Sequence, residues 1–163
     1  LDNLVDKRKL VLAFIDHLQK DLLNLKAAAQ ATYEAATHEE SKPENEYDTR
    51  AIEASYLAGA QSKRAAELDE IINLFQQFDF KLFSDSTPVS SSALVEVQAG
   101  VKRTYLLLMP KGGGFAMDFN GQMVQVITPN SLLGEALVGL TCGEIAEVEV
   151  GGRLKEYSVL SVQ

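Results

Sequence analysis

The sequence predicts an α+β protein: an N-terminal antiparallel α-helical coiled-coil hairpin over residues 1–78, a linker over 79–92 and a small β-rich domain over 93–163. Three observations carry this reading. Apolar residues recur at alternating spacings of four and three through most of the first 78 residues. That period stops in a stretch rich in Ser, Thr and Pro. Beyond it come short β-like runs punctuated by Gly and by one Asn-Gly pair.

The first helix is expected from about Leu4 to His38, with Val11, Ile15, Leu18, Leu22, Leu25, Ala29 and Ala36 forming a heptad-like seam broken only by Thr32. In the second helix Tyr47, Ala51, Ala54, Ala58, Gln61, Ala65, Leu68, Ile72 and Phe75 repeat the spacing. Both seams are small beside the intervening turn and large away from it, so they match when the helices run antiparallel. The hairpin should therefore narrow toward its turn. A helix of some thirty residues is roughly 45 Å long, which sets the turn far from the other end of the hairpin.

The turn, residues 39–48, holds Glu39, Glu40, Glu44, Glu46 and Asp48 against the single cation Lys42. Ser41-Lys42-Pro43-Glu44 has the S-x-x-E form of a capping box. It predicts Ser41 as the N-cap of the second helix, Pro43 in the first turn and Glu44 folded back on the cap amide. A carboxylate at this position can serve in the cap and in chemistry as well.

Asp79 to Ser92 reads as a linker. Strands are expected at Ala93–Val97, Thr104–Met109, Phe115–Phe119, Gln122–Ile127, Ile145–Val150 and Leu154–Val162, in an antiparallel sheet with one short helix over Pro129–Val138. Asn120-Gly121 is the pair favoured in two-residue hairpin turns. Lys111-Gly112-Gly113-Gly114 lacks the spacing of a phosphate loop and reads as a surface loop.

Composition excludes several classes. A net charge of −8 argues against tight, nonspecific nucleic-acid binding, which needs Lys and Arg against phosphates. No apolar run is long enough to span a membrane, and a short apolar run after Lys7-Arg8-Lys9 ends at Asp16, so a cytoplasmic protein is expected. The single cysteine, Cys142, excludes an intrachain disulfide and reads as a small buried side chain. His17 and His38 are too few and too far apart in sequence for a histidine metal site.

The tip residues Ser41-Lys42-Pro43-Glu44-Asn45-Glu46-Tyr47 resemble the D-L-K-E-N-A-E-Y motif of the Gre transcript-cleavage factors of bacterial RNA polymerase, and Gln61 through Glu70 continues the second helix as in that family. Asn130 to Gly139, Cys142-Gly143-Glu144 and Lys155-Glu156-Tyr157-Ser158-Val159-Leu160 are similar to the family's S-P-L-G-x-A-L-L-G, G-D/E and K-E-Y-x-I-L stretches. The resemblance covers nearly the whole chain. It implies a C-terminal domain of the fold seen in FK506-binding proteins, gripping the rim of the polymerase's secondary channel with Ser131, Leu132, Leu133 and Gly134 at or near the contact. It further implies that the hairpin tip reaches the active centre, where Glu44 and Glu40 help hold a Mg²⁺ ion shared with the polymerase, supported by Ser41, Asn45, Glu46, Tyr47 and Asp48. On this reading the chain is a monomer with no cofactor of its own and is not itself an enzyme. It stimulates the polymerase's own RNA cleavage and meets nascent RNA only through the polymerase.

Departures from the motif open alternatives. Ser41 stands where the family has Asp, Pro43 replaces Lys, and one residue is missing between Asn45 and Tyr47. A hydroxyl is a poor Mg²⁺ anchor beside a carboxylate, which favours a Gre-like regulator that occupies the channel without cleaving. A third reading, a peptidyl-prolyl isomerase, follows from the likeness of Gly134–Gly139 with Gly143-Glu144 to FK506-binding proteins, but requires an aromatic-lined pocket. Lys7, Arg8, Lys9, Lys20 and Lys26 on the first helix either face RNA or are solvated charges.

Overall fold

The computed structural model describes residues 5–38, 42–44 and 49–163. The chain forms two compact units, one of Leu12–Gln77 and one that joins Leu1–Val11 to Phe78–Gln163.

The first of these units holds most of helix α1 (Lys7–Thr37) and all of helix α2 (Arg50–Gln77). The expected seams are the buried stripes. Along α1, Leu18, Leu22 and Ala29 are buried and Ile15, Leu25, Thr32 and Ala36 half-buried; along α2, Ala58, Ala65, Leu68, Ile72 and Phe75 are buried and Ala51, Ala54 and Gln61 half-buried. Phe14 and Ile71, each one position off the heptad seam, are buried too, because a core-facing stripe takes three positions per heptad where side chains are large. The rings of Phe14 and Phe75 lie 6.3 Å apart, tilted by 51°.

Both helix starts differ from expectation. α1 begins at Lys7, where Asp6 Oδ1 accepts a hydrogen bond from Lys9 N at 3.1 Å, and that bond holds the Asp6 carboxyl below its ordinary value. α2 begins at Arg50, not in the Ser41–Glu44 box. Thr49 O accepts from Glu53 N at 2.9 Å, and Thr49 Oγ1 donates to Glu53 Oε1 at 2.7 Å. Pro43 suits a first helical turn, but it also disfavours helical geometry at the residue before it, and Thr49 supplies a competing start six residues further on. Glu44 consequently lies outside any helix, and Ser41 lies outside the described residues.

The other unit is a six-stranded sheet of β1 (Leu94–Ala99), β2 (Lys102–Leu108), β3 (Ala116–Phe119), β4 (Gln122–Ile127), β5 (Ile145–Val150) and β6 (Arg153–Val162), in the order β3-β4-β2-β1-β6-β5. Five pairs are possible in that order, and four are antiparallel. The exception corrects the all-antiparallel expectation: β2 and β4 run parallel. The chain between them already reverses once through β3, so β4 returns in the direction of β2. The β3–β4 turn is Asn120-Gly121 with φ of 55° and 81°, the two positive values a type I′ turn demands.

One sheet face carries the core of Val95, Val97, Leu106, Leu108, Ile127, Val159 and Val162, closed by Leu137 of the short helix α3 (Leu132–Leu137). The segment 79–92 is more than a linker. Val89 is buried in this core; its N–H donates to Leu140 O and its carbonyl accepts from Gly139 N, while Ser92 N donates to Leu108 O. Asp85 Oδ1 accepts from Val162 N at 3.1 Å. The Ser/Thr/Pro composition of this segment hid a strap whose backbone groups are bonded to residues 139–142 and to Leu108 of β2.

Candidate functional site

Of the expected tip, Glu40, Ser41, Asn45, Glu46, Tyr47 and Asp48 lie outside the described residues, as does Glu39. Glu44 is described. It is exposed, and its Oε1 stands 3.8 Å from Arg50 Nη2 at the first residue of α2. The N-terminus of a helix carries partial positive charge, so α2 and its Arg50 together favour the carboxylate there. This exposed pair adds little stability. Glu44 thus lies beside the start of α2 and outside the first-turn geometry expected for it. Among the described residues no group of three or more His, Cys, Asp and Glu could hold a metal ion. Glu44 stands there as a single exposed carboxylate.

The C-terminal motif is largely used by the fold. Ser131 caps α3: its Oγ accepts from Gly134 N at 3.1 Å and donates to Thr128 O at 2.7 Å. Gly134 is buried against the Thr128 carbonyl, where any Cβ would overlap that oxygen. Leu133 packs on the core and Leu137 is fully buried. Gly143 has φ of 90°, and Glu144 accepts from Thr141 N at 2.6 Å and from Thr141 Oγ1 at 2.9 Å, which holds its carboxyl below the ordinary range. Leu132 is different. It is 68% exposed, and of the four expected contact residues it is the one in the exposed class.

The basic residues of α1 divide. Lys20 pairs with Asp16 at 2.7 Å and Lys9 with Asp6 at 3.4 Å, as solvated charges do. Lys7 is half-buried: its Nζ donates to Lys81 O at 2.8 Å and to Gln163 O at 3.1 Å, and sits 4.8 Å from the centre of the Phe83 ring. Sequence reasoning missed this anchor because a lysine stem burying against distant residues leaves no local signal. Cys142 Sγ donates to Leu160 O at 3.0 Å, in keeping with an inert, partly buried thiol.

The sheet face that carries the core also holds a pocket of about 180 Å³, with Tyr157 as its one aromatic wall. Sequence reasoning missed the pocket, since its walls come from four strands and α3.

No family model matches the chain. Transcription elongation factor GreA of Syntrophus aciditrophicus (strain SB) is 23% identical over 165 residues, covering 97% of this chain and 96% of that protein. The chain is thus similar to a GreA protein along nearly the whole of both sequences. Among solved structures, GreA factor homolog 1 (Gfh1) of Thermus thermophilus matches 91% of this chain and 94% of its own at 14% identity, with a TM-score of 0.36. Gfh1 of Thermus aquaticus covers 91% and 92% at 16% identity, with a TM-score of 0.37. Prokaryotic GreA/GreB from Nitrosomonas europaea covers 59% and 78% at 20% identity, with a TM-score of 0.35. No helix among the described residues is long and apolar enough to cross a membrane.

Proposed function

We propose that this chain is a cytoplasmic elongation factor of bacterial RNA polymerase, entering the secondary channel with its acidic hairpin tip and holding the polymerase through its β-rich unit. The observation that carries the reading is the similarity to a GreA protein along 97% of the chain, which takes in both the hairpin and the sheet. The chemistry fits a factor that completes another protein's active site. Mg²⁺ keeps several of its waters and needs only one or two protein carboxylates, and paired metals stabilise both the attacking and leaving oxygens of a displacement. Glu44 and Glu40 are the carboxylates offered. The bond broken is in the RNA, and the catalyst is the polymerase.

A second reading, a channel-occupying regulator that does not cleave, is favoured by two observations. Ser41 replaces the family's Asp, and Glu44 is drawn to Arg50. The two are separated by incubating a stalled, backtracked elongation complex with the full chain and Mg²⁺ and then sizing the RNA. Shortened transcripts establish stimulation; unchanged transcripts with slowed elongation establish regulation. Neither effect would overturn both. Glu44→Gln and Glu40→Gln in the same assay test the tip: loss of effect with unchanged helicity is expected for Glu44, and a smaller loss for Glu40. Leu132→Asp should weaken polymerase binding without lowering stability, since Leu132 is exposed.

A further inference from the structure

Strand β5 ends the sheet order, so one of its sides has no neighbouring strand among the described residues. The hairpin that joins β5 to β6 decides which backbone groups face that open side. Gly151 and Gly152, with φ of 59° and 74°, form a two-residue turn closed by Val150 and Arg153. Such a turn closes on a hydrogen-bonded pair, and hydrogen-bonded pairs recur at every second residue of an antiparallel ladder. Val148 with Lys155 and Ala146 with Tyr157 therefore bond inward. At the other end of the strand Val159 N donates to Glu144 O at 2.9 Å, which gives the same phase. The N–H and C=O groups of Ile145, Glu147 and Glu149 consequently point away from β6, and these residues are exposed.

We propose that this edge takes up, as a further strand of the sheet, an extended segment of a partner polypeptide in which basic and apolar residues alternate. The open backbone groups supply the pairing. The side chains select the segment's sequence. Glu147 lies directly opposite Glu156 of β6, in a non-hydrogen-bonded pair whose Cα atoms stand about 4.5 Å apart, and Glu149 follows on the same face. Like charges so placed are destabilising, and none of these glutamates forms an ion pair among the described residues. The cations of β6 do not relieve them, because Arg153 and Lys155 alternate onto the other face, where Lys155 Nζ sits 4.9 Å from the Tyr157 ring centre. A segment with Lys or Arg at every second position sets its cations beside these carboxylates. Its intervening side chains fall on the face of Val148 and of Val150, which is 57% exposed, and that face selects apolar residues. The same charges exclude a second copy, since pairing two β5 edges sets glutamates against glutamates. This edge shares no residue with the pocket described above and does not rest on the elongation-factor reading.

The test is amide hydrogen exchange of the full chain, read residue by residue by NMR, with acetyl-Lys-Val-Lys-Val-Lys-amide as the probe. In the free chain the amides of Ile145, Glu147 and Glu149 should exchange fast and those of Ala146 and Val148 slowly. Probe at about ten times its Kd should slow the first set about tenfold and leave the second unchanged, with binding that weakens as salt is raised. Acetyl-Lys-Lys-Lys-Val-Val-amide, equal in composition but without the alternation, and acetyl-Glu-Val-Glu-Val-Glu-amide should both bind more weakly. Glu147→Lys should weaken binding by roughly two- to fivefold. Glu147→Pro removes an outward N–H at an edge position where proline is tolerated and should weaken it by roughly two- to tenfold, with Ala146 and Val148 still protected in both variants. The proposal is overturned by equal binding of the non-alternating peptide, by a Glu147→Lys chain that binds as tightly as the parent, or by the absence of protection at millimolar probe. Protection of the same amides that rises with protein concentration alone would assign the edge to a second copy and overturn it as well.

Discussion

Gly134→Ala should selectively destabilise the β-rich unit. The added Cβ would overlap the Thr128 carbonyl oxygen and come within 2.9 Å of both Ser131 Oγ and the Thr128 carbonyl carbon, where carbon–oxygen contacts run about 3.3–3.6 Å. The Thr128 carbonyl has to move, and it accepts from Ser131 N at 3.0 Å and from Ser131 Oγ at 2.7 Å. Ser131 Oγ in turn accepts from Gly134 N. Three hydrogen bonds at about 1 kcal/mol each are put at risk, and about 1 kcal/mol returns from replacing a helical glycine by alanine. The net loss is about 2 kcal/mol. For a unit of this size it lowers Tm by roughly 8–16 °C. Urea unfolding followed in the near-ultraviolet, where Tyr105 and Tyr157 report on the sheet, measures the loss without interference from the helical signal. A variant within about 0.5 kcal/mol of the parent would refute the claim that this glycine is required by close packing.

Three further outcomes are expected. Gly59→Ala, in α2 with nothing within 4 Å of the new Cβ, should stabilise the hairpin by about 1 kcal/mol in urea melts followed by helical circular dichroism. Gln61→Leu should raise the urea midpoint of the hairpin with an unchanged slope, because Gln61 Oε1 is buried with no hydrogen-bond partner among the described residues, and removing such a group recovers about 1–3 kcal/mol of desolvation. Lys7, pushed by burial from its ordinary 10.5 to about 8, binds fewer protons folded than unfolded between those values. Its contribution to stability is complete above pH 10.5 and is lost as pH falls through about 8. Urea midpoints at pH 7.5, 9 and 10.5 should rise more steeply in the parent than in Lys7→Met.

The parts of this fold legible in the sequence are those set by local period. The seams of both helices, the Asn120-Gly121 turn and every strand follow from spacing or from a dipeptide, and each lies within a few residues of its expected place. The parts that were not legible are set by pairing across the chain. A strand has the same alternation whether its neighbour runs parallel or antiparallel, so the β2–β4 direction left no mark. The start of α2 was a contest between two capping signatures, and the S-x-x-E form was the more recognisable of the two. At the candidate site, the motif singles out Glu44, but its place outside α2 and beside Arg50 was not legible. The structural roles of Ser131, Gly134 and Glu144 were not, because a motif shared with a family does not say which of its residues hold the fold and which meet a partner.

The division of the chain into Leu12–Gln77 and the joined segments Leu1–Val11 and Phe78–Gln163 makes the hairpin an insertion within the other unit. The length of the hairpin is thereby adjustable without a change in the sheet. Removing one heptad from α1 and the facing heptad from α2 shortens each helix by about 10 Å, keeps the seam in phase and leaves every residue of the sheet in place. Loop-closure cost changes only slowly with the length of an inserted segment, so the joined segments tolerate such changes. The hairpin can thus be cut or extended in fixed steps of one heptad, like a ruler, while the unit into which it is inserted keeps its strand pairing.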